Sequence, residues 1–170
     1  PGREGEKISA GKINVVNNFC VAVDSNEARC TSCHIGYGWK DKNFDFTDQT
    51  KIDCLVCHES TGTYKKFPAG AGYPVTQRTF FPGNQQWYDV PEYDRVAQSV
   101  KRPSRNNCGT CHFYGGGGNA VKHGALDKSL ANPDKTIDIH MAKDGGNMVC
   151  VDCHVAEKHD IKGQLYSVSV

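Results

Sequence analysis

The chain is short of aliphatic bulk. Leu, Ile, Val and Phe together number 33 of 170 residues, about 19%, which is below the share with which ordinary soluble domains build a core. It also lacks an excess of either charge, since 20 Lys and Arg against 19 Asp and Glu leave +1. Few aliphatics signal disorder only in company with high net charge, so the two shortages together predict a folded chain whose apolar mass comes partly from something other than side chains. No apolar run approaches the roughly 20 residues that cross a bilayer, which excludes a spanning segment from this sequence. The start, Pro1, has no initiator Met, apolar h-region or Ala-x-Ala site, and the expectation is a secretory signal already removed.

What is present is cysteine. Nine Cys divide into four pairs and one single residue, and each pair has two residues between its members and a His directly after. The pairs are Cys30 and Cys33 with His34, Cys54 and Cys57 with His58, Cys108 and Cys111 with His112, and Cys150 and Cys153 with His154. Each matches the attachment signature of a c-type haem. Two thiols that add across the vinyl groups of one porphyrin must sit about a helical turn apart, and the next residue can then offer its imidazole to the iron. Chance would place on the order of 0.02 such motifs in a chain of this composition. The spacing of Cys30/Cys33 and Cys54/Cys57 would also suit a zinc ribbon, but zinc does not require a His after every pair. A disulfide between residues this close is a redox device rather than a staple. The reading is therefore four covalent haems, whose porphyrins supply the missing core. It predicts a multihaem cytochrome c fold in one domain, residues 1–170, with little regular structure: a few short α-helices, long loops wrapped around a stacked haem chain, and short terminal strands.

Beyond the four proximal His, three remain to ligate the opposite faces of four irons: His123, His140 and His159. The fourth position falls to Lys122, Met141, Met148, water, or a residue of another chain. Methionine would raise that haem's potential, and an open position would permit substrate chemistry. Lys122 and His123 are adjacent, after the glycines at 115–118, so an extended segment would point them to opposite sides and toward two irons.

Other segments carry weaker signals. Ile13, Val15 and Val16 suggest a strand or packing arm. The longest spacer, 59–107, opens with the Gly/Pro-rich stretch 67–74, which argues against regular structure. Its second half predicts a helix of about ten residues, with Asp89 as N-cap, Pro91 in the first turn, and Tyr93, Val96, Ala97 and Val100 on one face. A short helix is expected to carry the last motif toward Lys158. The alternation of Tyr166, Val168 and Val170 predicts a terminal strand, available to the sheet edge of another copy.

The sequences CTSCHIGYGWKD, DCLVCHESTGTYKK and RPSRNNCGTCHFYGGGGNAVKHGALD resemble the N-terminal, tetrahaem half of the octahaem tetrathionate reductase family, over roughly residues 15–160. In that family a lysine replaces the distal His at the active-site haem. The resemblance implies Lys122 as that ligand, at the haem of Cys54, Cys57 and His58, with the unpaired Cys20 nearby. Two departures are visible. The chain carries four motifs rather than eight, so a pocket closed by a second half would be open, and Asn119 stands where an acidic residue is expected three before the lysine.

Two functions compete. The first is electron transfer through four haems in an exported protein, periplasmic or extracellular, whose partners are redox proteins, extracellular acceptors and other copies of itself in a filament. The second is reduction of a sulfur or nitrogen oxyanion such as tetrathionate, nitrite or hydroxylamine, with Lys122 and Cys20 as catalytic residues and Lys65, Lys66, Arg102 and Arg105 gathering the anion. Electron transfer is the favoured reading. With two ionised propionates each, ferric and ferrous haems add about −1 and −2, so the loaded chain carries about −3 oxidised and about −7 reduced. Nucleic acid is therefore not an expected partner.

Overall fold

The computed structural model describes residues 35–38, 45, 47–113, 118–120 and 125–161. They belong to two compact units, Pro1–Lys128 and Ser129–Val170. The expected N-terminal arm at 13–16 and the C-terminal strand at 164–170 lie outside the described residues, as do Cys20, Cys30, Cys33, His34, Lys122 and His123.

The first unit is built from short helices tied together by loops, as the low aliphatic content predicts. A 3-10 turn, Gln49–Lys51, leads into α1, Cys54–His58. Asp53 starts α1 by accepting the Leu55 amide at 3.0 Å, which satisfies one of the orphan N–H groups of the first turn. The segment that follows the first motif runs antiparallel to this approach: Tyr37 N–H donates to the Lys51 carbonyl at 2.8 Å and Asp53 N–H to the Ile35 carbonyl at 2.6 Å. The stretch 67–74 is irregular, as its composition predicts, with a cis Phe67–Pro68 bond. Gly72 lies here at φ +72°, and a Cβ on it would sit 2.0 Å from the Gly36 carbonyl oxygen, so only glycine lets this loop close on the backbone after the first motif.

A hairpin that the sequence reading did not identify comes next. β1, Thr79–Phe81, pairs antiparallel with β2, Gln86–Tyr88, in the register Phe80 opposite Trp87. Phe67 packs edge-on against Phe81 and Tyr88, with ring centroids 4.7 and 5.3 Å away. The local signal was aromatic residues on both sides of Pro82, Gly83 and Asn84.

The helix expected after Asp89 forms as α2, Tyr93–Gln98, and is shorter than expected. Its N-cap is Glu92, without a side-chain cap bond, and Asp89 instead forms an exposed ion pair with Arg78 at 2.9 Å. Of the expected apolar face only Val96 is fully buried. The helix stops because Ser99 turns back, its hydroxyl donating to the Val96 carbonyl, while Ser60 bonds to Ser99 through its amide at 2.9 Å and its hydroxyl at 2.6 Å. Replacing Asp89 therefore tests the corrected cap. Asp89→Ala is expected to cost under about 0.5 kcal/mol, the value of an exposed ion pair, whereas loss of an N-cap would cost about 1 kcal/mol; urea unfolding distinguishes the two.

α3, Arg105–His112, begins with a capping box. Ser104 Oγ accepts the Asn107 amide at 3.3 Å, and Asn107 Oδ1 accepts the Ser104 amide at 2.8 Å. α1 and α3 pack against each other.

The second unit follows a 3-10 turn, Lys128–Ala131. Asp134 and Asp138 shape its turns by accepting the amides of Thr136 and Ile137, and of His140 and Met141. Among its described residues Ala142 is fully buried. α4, Cys150–Cys153, carries the last motif. It does not run toward Lys158. His154 leaves the helical region at ψ 74°, and β3, Ala156–Glu157, and β4, Asp160–Ile161, form an antiparallel hairpin instead. Lys158 and His159 make its tight turn at φ +50° and +68°, the left-handed values that a two-residue hairpin turn demands.

Across the described residues the buried apolar set is small: Tyr64, Val75, Val96, Ala125 and Ala142. Few helices and little strand are what a multihaem cytochrome fold predicts.

Candidate functional site

Three of the four attachment motifs are described, and each forms a helical turn. In α1, Cys54 and Cys57 are three apart and His58 is four from Cys54, so all three share one helix face. Cys108, Cys111 and His112 repeat this at the end of α3. Cys150 and Cys153 bracket α4, with His154 as its C-cap. None of these six cysteines is disulfide-bonded. Among the described residues no three His, Cys, Asp or Glu side chains converge as a metal cage. Burial pushes the Cys57 thiol up, with Asp53 adding to the shift.

Whether these residues suit a covalent haem is decided by the second motif. His58 Nδ1 lies 2.8 Å from the Lys101 carbonyl oxygen. A carbonyl only accepts, so the ring proton is on Nδ1 and the lone pair is on Nε2, the nitrogen that ligates iron from this position. Lys101 N–H returns a bond to the His58 carbonyl at 2.8 Å, so the imidazole is held by a two-way clamp. Exposed apolar residues flank the motifs: Ile52 lies two before Cys54, Val100 lies next to the clamp, and Leu126 is bridged to Phe113 just after His112. Such surfaces fit the apolar faces of a porphyrin.

Asn107 joins the two helices. It is 7% exposed, and its Nδ2 donates to the Glu59 carbonyl at 2.8 Å and more weakly to the Val56 carbonyl at 3.4 Å. Glu59 is itself buried and accepts Thr61 and Gly62. At the other end of α1 lies a buried charge cluster. Asp53 accepts the Tyr64 hydroxyl at 2.5 Å and pairs with Lys66 at 3.4 Å. Lys66 also donates to the Gly36 carbonyl at 3.2 Å and lies 5.1 Å from the centre of the Tyr37 ring. Burial pushes the Tyr64 phenol well above its usual range and the Tyr37 phenol to about 12, with Asp53 adding to both, while burial pushes Lys66 down against the pull of Asp53.

The basic residues expected to gather an anion do not form one exposed face. Lys66 and Arg105 are buried, whereas Lys65 and Arg102 are exposed. In the second unit, Met148 N–H donates to the His140 carbonyl at 2.9 Å, which brings two of the expected distal candidates onto one loop. A Cβ on Gly145 would lie 2.2 Å from the Ile139 carbonyl oxygen, so this loop depends on glycine for its closure. His159 sits on the hairpin turn after α4.

Comparison with known proteins fits this geometry. The chain's backbone matches the crystal structure of an octahaem cytochrome c from Shewanella oneidensis with a TM-score of 0.68 and 53% identity, covering 90% of this chain and 31% of that one. That likeness supports a multihaem c-type cytochrome. Over 137 residues the chain is also 29% identical to an uncharacterized protein of Archaeoglobus fulgidus, an alignment covering 77% of this chain and 45% of that protein. The chain thus spans less than half the length of the one and about a third of the other. No protein-family model matches it.

Sequence reasoning missed Asp53 and Asn107, and it named Lys66 only as one of four basic residues gathering an anion, not as a buried partner of Asp53. The first had a visible signal, an Asp directly before a helical turn. Asn107 had a weaker one, since Ser104 three residues earlier makes a capping-box spacing. The burial of Lys66 had none, because a lysine in a loop reads as solvated.

Proposed function

We propose that the chain is an exported electron-transfer unit carrying four covalent c-type haems on Cys30/Cys33, Cys54/Cys57, Cys108/Cys111 and Cys150/Cys153. The proximal ligands are His34, His58, His112 and His154, with His123, His140, His159 and Lys122 as distal ligands. The observation that carries this reading is the packing of α1 on α3 through Asn107. Attachment helices in contact bring the groups they hold to neighbouring positions, which is what electron hopping requires. The octahaem relative supports the same chemistry. When bound, the haems supply the Fe(III)/Fe(II) couple, and the polypeptide fixes ligand tautomers, spacing and surrounding charge. In its finer form the reading makes other copies of the chain its partners, assembled into an extracellular filament.

The test is direct. Haem-loaded chain should give four haems by pyridine haemochrome absorbance and intact mass, and fewer covalent haems would overturn the count. Negative-stain imaging should show extended polymers, and monodisperse particles across salt and concentration would remove the filament. Reduction of a sulfur or nitrogen oxyanion at the Lys122 haem is the second reading, motivated by the resemblance of the segment around Lys122 to the octahaem tetrathionate reductases. Turnover of tetrathionate or nitrite that Lys122→Ala abolishes would replace the relay reading with that one.

A further inference from the structure

Lys66 is a buried cation beside the second attachment motif. Its ammonium bonds the Gly36 carbonyl, two residues after the first motif, and pairs with Asp53, the residue before the second. It is also within electrostatic reach of Cys57 and Cys111, which belong to the second and third motifs. The side chains of Lys66 and Asp53 are 3% and 0% exposed. Burying such a pair contributes little to stability, because desolvation offsets the attraction. Asp53 would also retain hydrogen bonds from Leu55 N–H and the Tyr64 hydroxyl without the lysine. What a buried cation does supply is a fixed field, little screened by salt.

We propose that Lys66 is a potential-setting cation shared by the haems of the second and third motifs, with Asp53 as the opposing charge at the second. This rests on the haem reading given above. A positive charge disfavours the ferric state, which carries one more positive charge than the ferrous, and so raises the potential; a negative charge lowers it. At an effective dielectric of about 20, a unit charge within about 10 Å of an iron shifts that equilibrium by about tenfold or more. Lys66 is thereby a positioning residue for charge. It need not touch the porphyrin.

The experiment is a redox titration of the full haem-loaded chain, followed by NMR of the haem methyl resonances so that individual haems are resolved. Haem content is measured first. A chain without haem fails the underlying reading, whereas a fully loaded chain tests this inference alone. In Lys66→Met two of the potentials should fall, each by about 59 mV for a tenfold change in a one-electron couple, while Lys66→Arg keeps them near wild type. Asp53→Asn retains an oxygen for the Leu55 amide and should raise the potential of the haem on Cys54 and Cys57. Unchanged potentials in loaded Lys66→Met overturn the inference. Shifts of the same sign in Lys66→Met and Asp53→Asn also overturn it, because a merely structural disturbance does not follow charge. If Lys66→Met does not accumulate, the sign of the Asp53→Asn shift decides: a rise supports the inference, and a fall or no change overturns it.

Discussion

A chain with serine at all eight motif cysteines is expected to show no cooperative thermal transition and to lose most of its helical circular dichroism. The reason lies in the interior. Among the described residues the buried apolar set is Tyr64, Val75, Val96, Ala125 and Ala142, and the largest fully buried side chains are two valines and an aspartate. A domain of about 150 residues ordinarily buries about 70% of its unfolded surface around a contiguous core, and these side chains cannot form one. Attachment free energy is then folding free energy, as for small metal-dependent domains. Removing a single pair, Cys54→Ser with Cys57→Ser, is expected to remove one haem by mass and lower the melting temperature while the other haems remain. A serine-substituted chain that melts cooperatively at the wild-type temperature would mean that the polypeptide builds its own core, and the aliphatic shortage would need another explanation.

The sequence made the motifs legible because covalent chemistry fixes them: spacing between thiols is a local constraint, and a His directly after each pair is a second one. The supporting residues were harder to read because they act across long separations. Lys101 clamps His58 through its backbone, and a carbonyl leaves no trace in residue identity. Asn107 reaches Glu59 across 48 residues, a distance no periodicity spans. Helix boundaries suffered for a related reason. The pattern from Tyr93 to Val100 was helical, but the Ser60–Ser99 and His58–Lys101 bonds stop the helix at Gln98. Tertiary hydrogen bonds overrode a local preference that was real but weak. The same competition converted the expected continuation of α4 into a hairpin.

Asn107→Ala is expected to be the most damaging single substitution outside the attachment residues, at about 2–4 kcal/mol. Loss of the Asn107 Oδ1 that accepts the Ser104 amide contributes about 0.5–1.5 kcal/mol of that. The rest comes from the Glu59 carbonyl, left buried without its 2.8 Å donor, at about 1–3 kcal/mol. For a domain of about 150–250 residues, 3 kcal/mol corresponds to a melting shift of about 6–12 °C. Two controls separate the contributions. Ser104→Ala removes the capping partner alone and should cost about 1 kcal/mol. Asn107→Asp keeps the oxygen that accepts Ser104 but loses the amide donor and sets a carboxylate near two carbonyls, so it should lie close to Asn107→Ala. Equal melting temperatures for Asn107→Ala and Ser104→Ala would show that the bonds to α1 carry no stability. Because those bonds hold the second motif against the third, Asn107→Ala should also slow electron exchange between their two haems at unchanged haem content, measurable as altered exchange broadening of the haem methyl resonances during partial reduction. A loss of stability without that change would place Asn107 in the fold but outside the electron path.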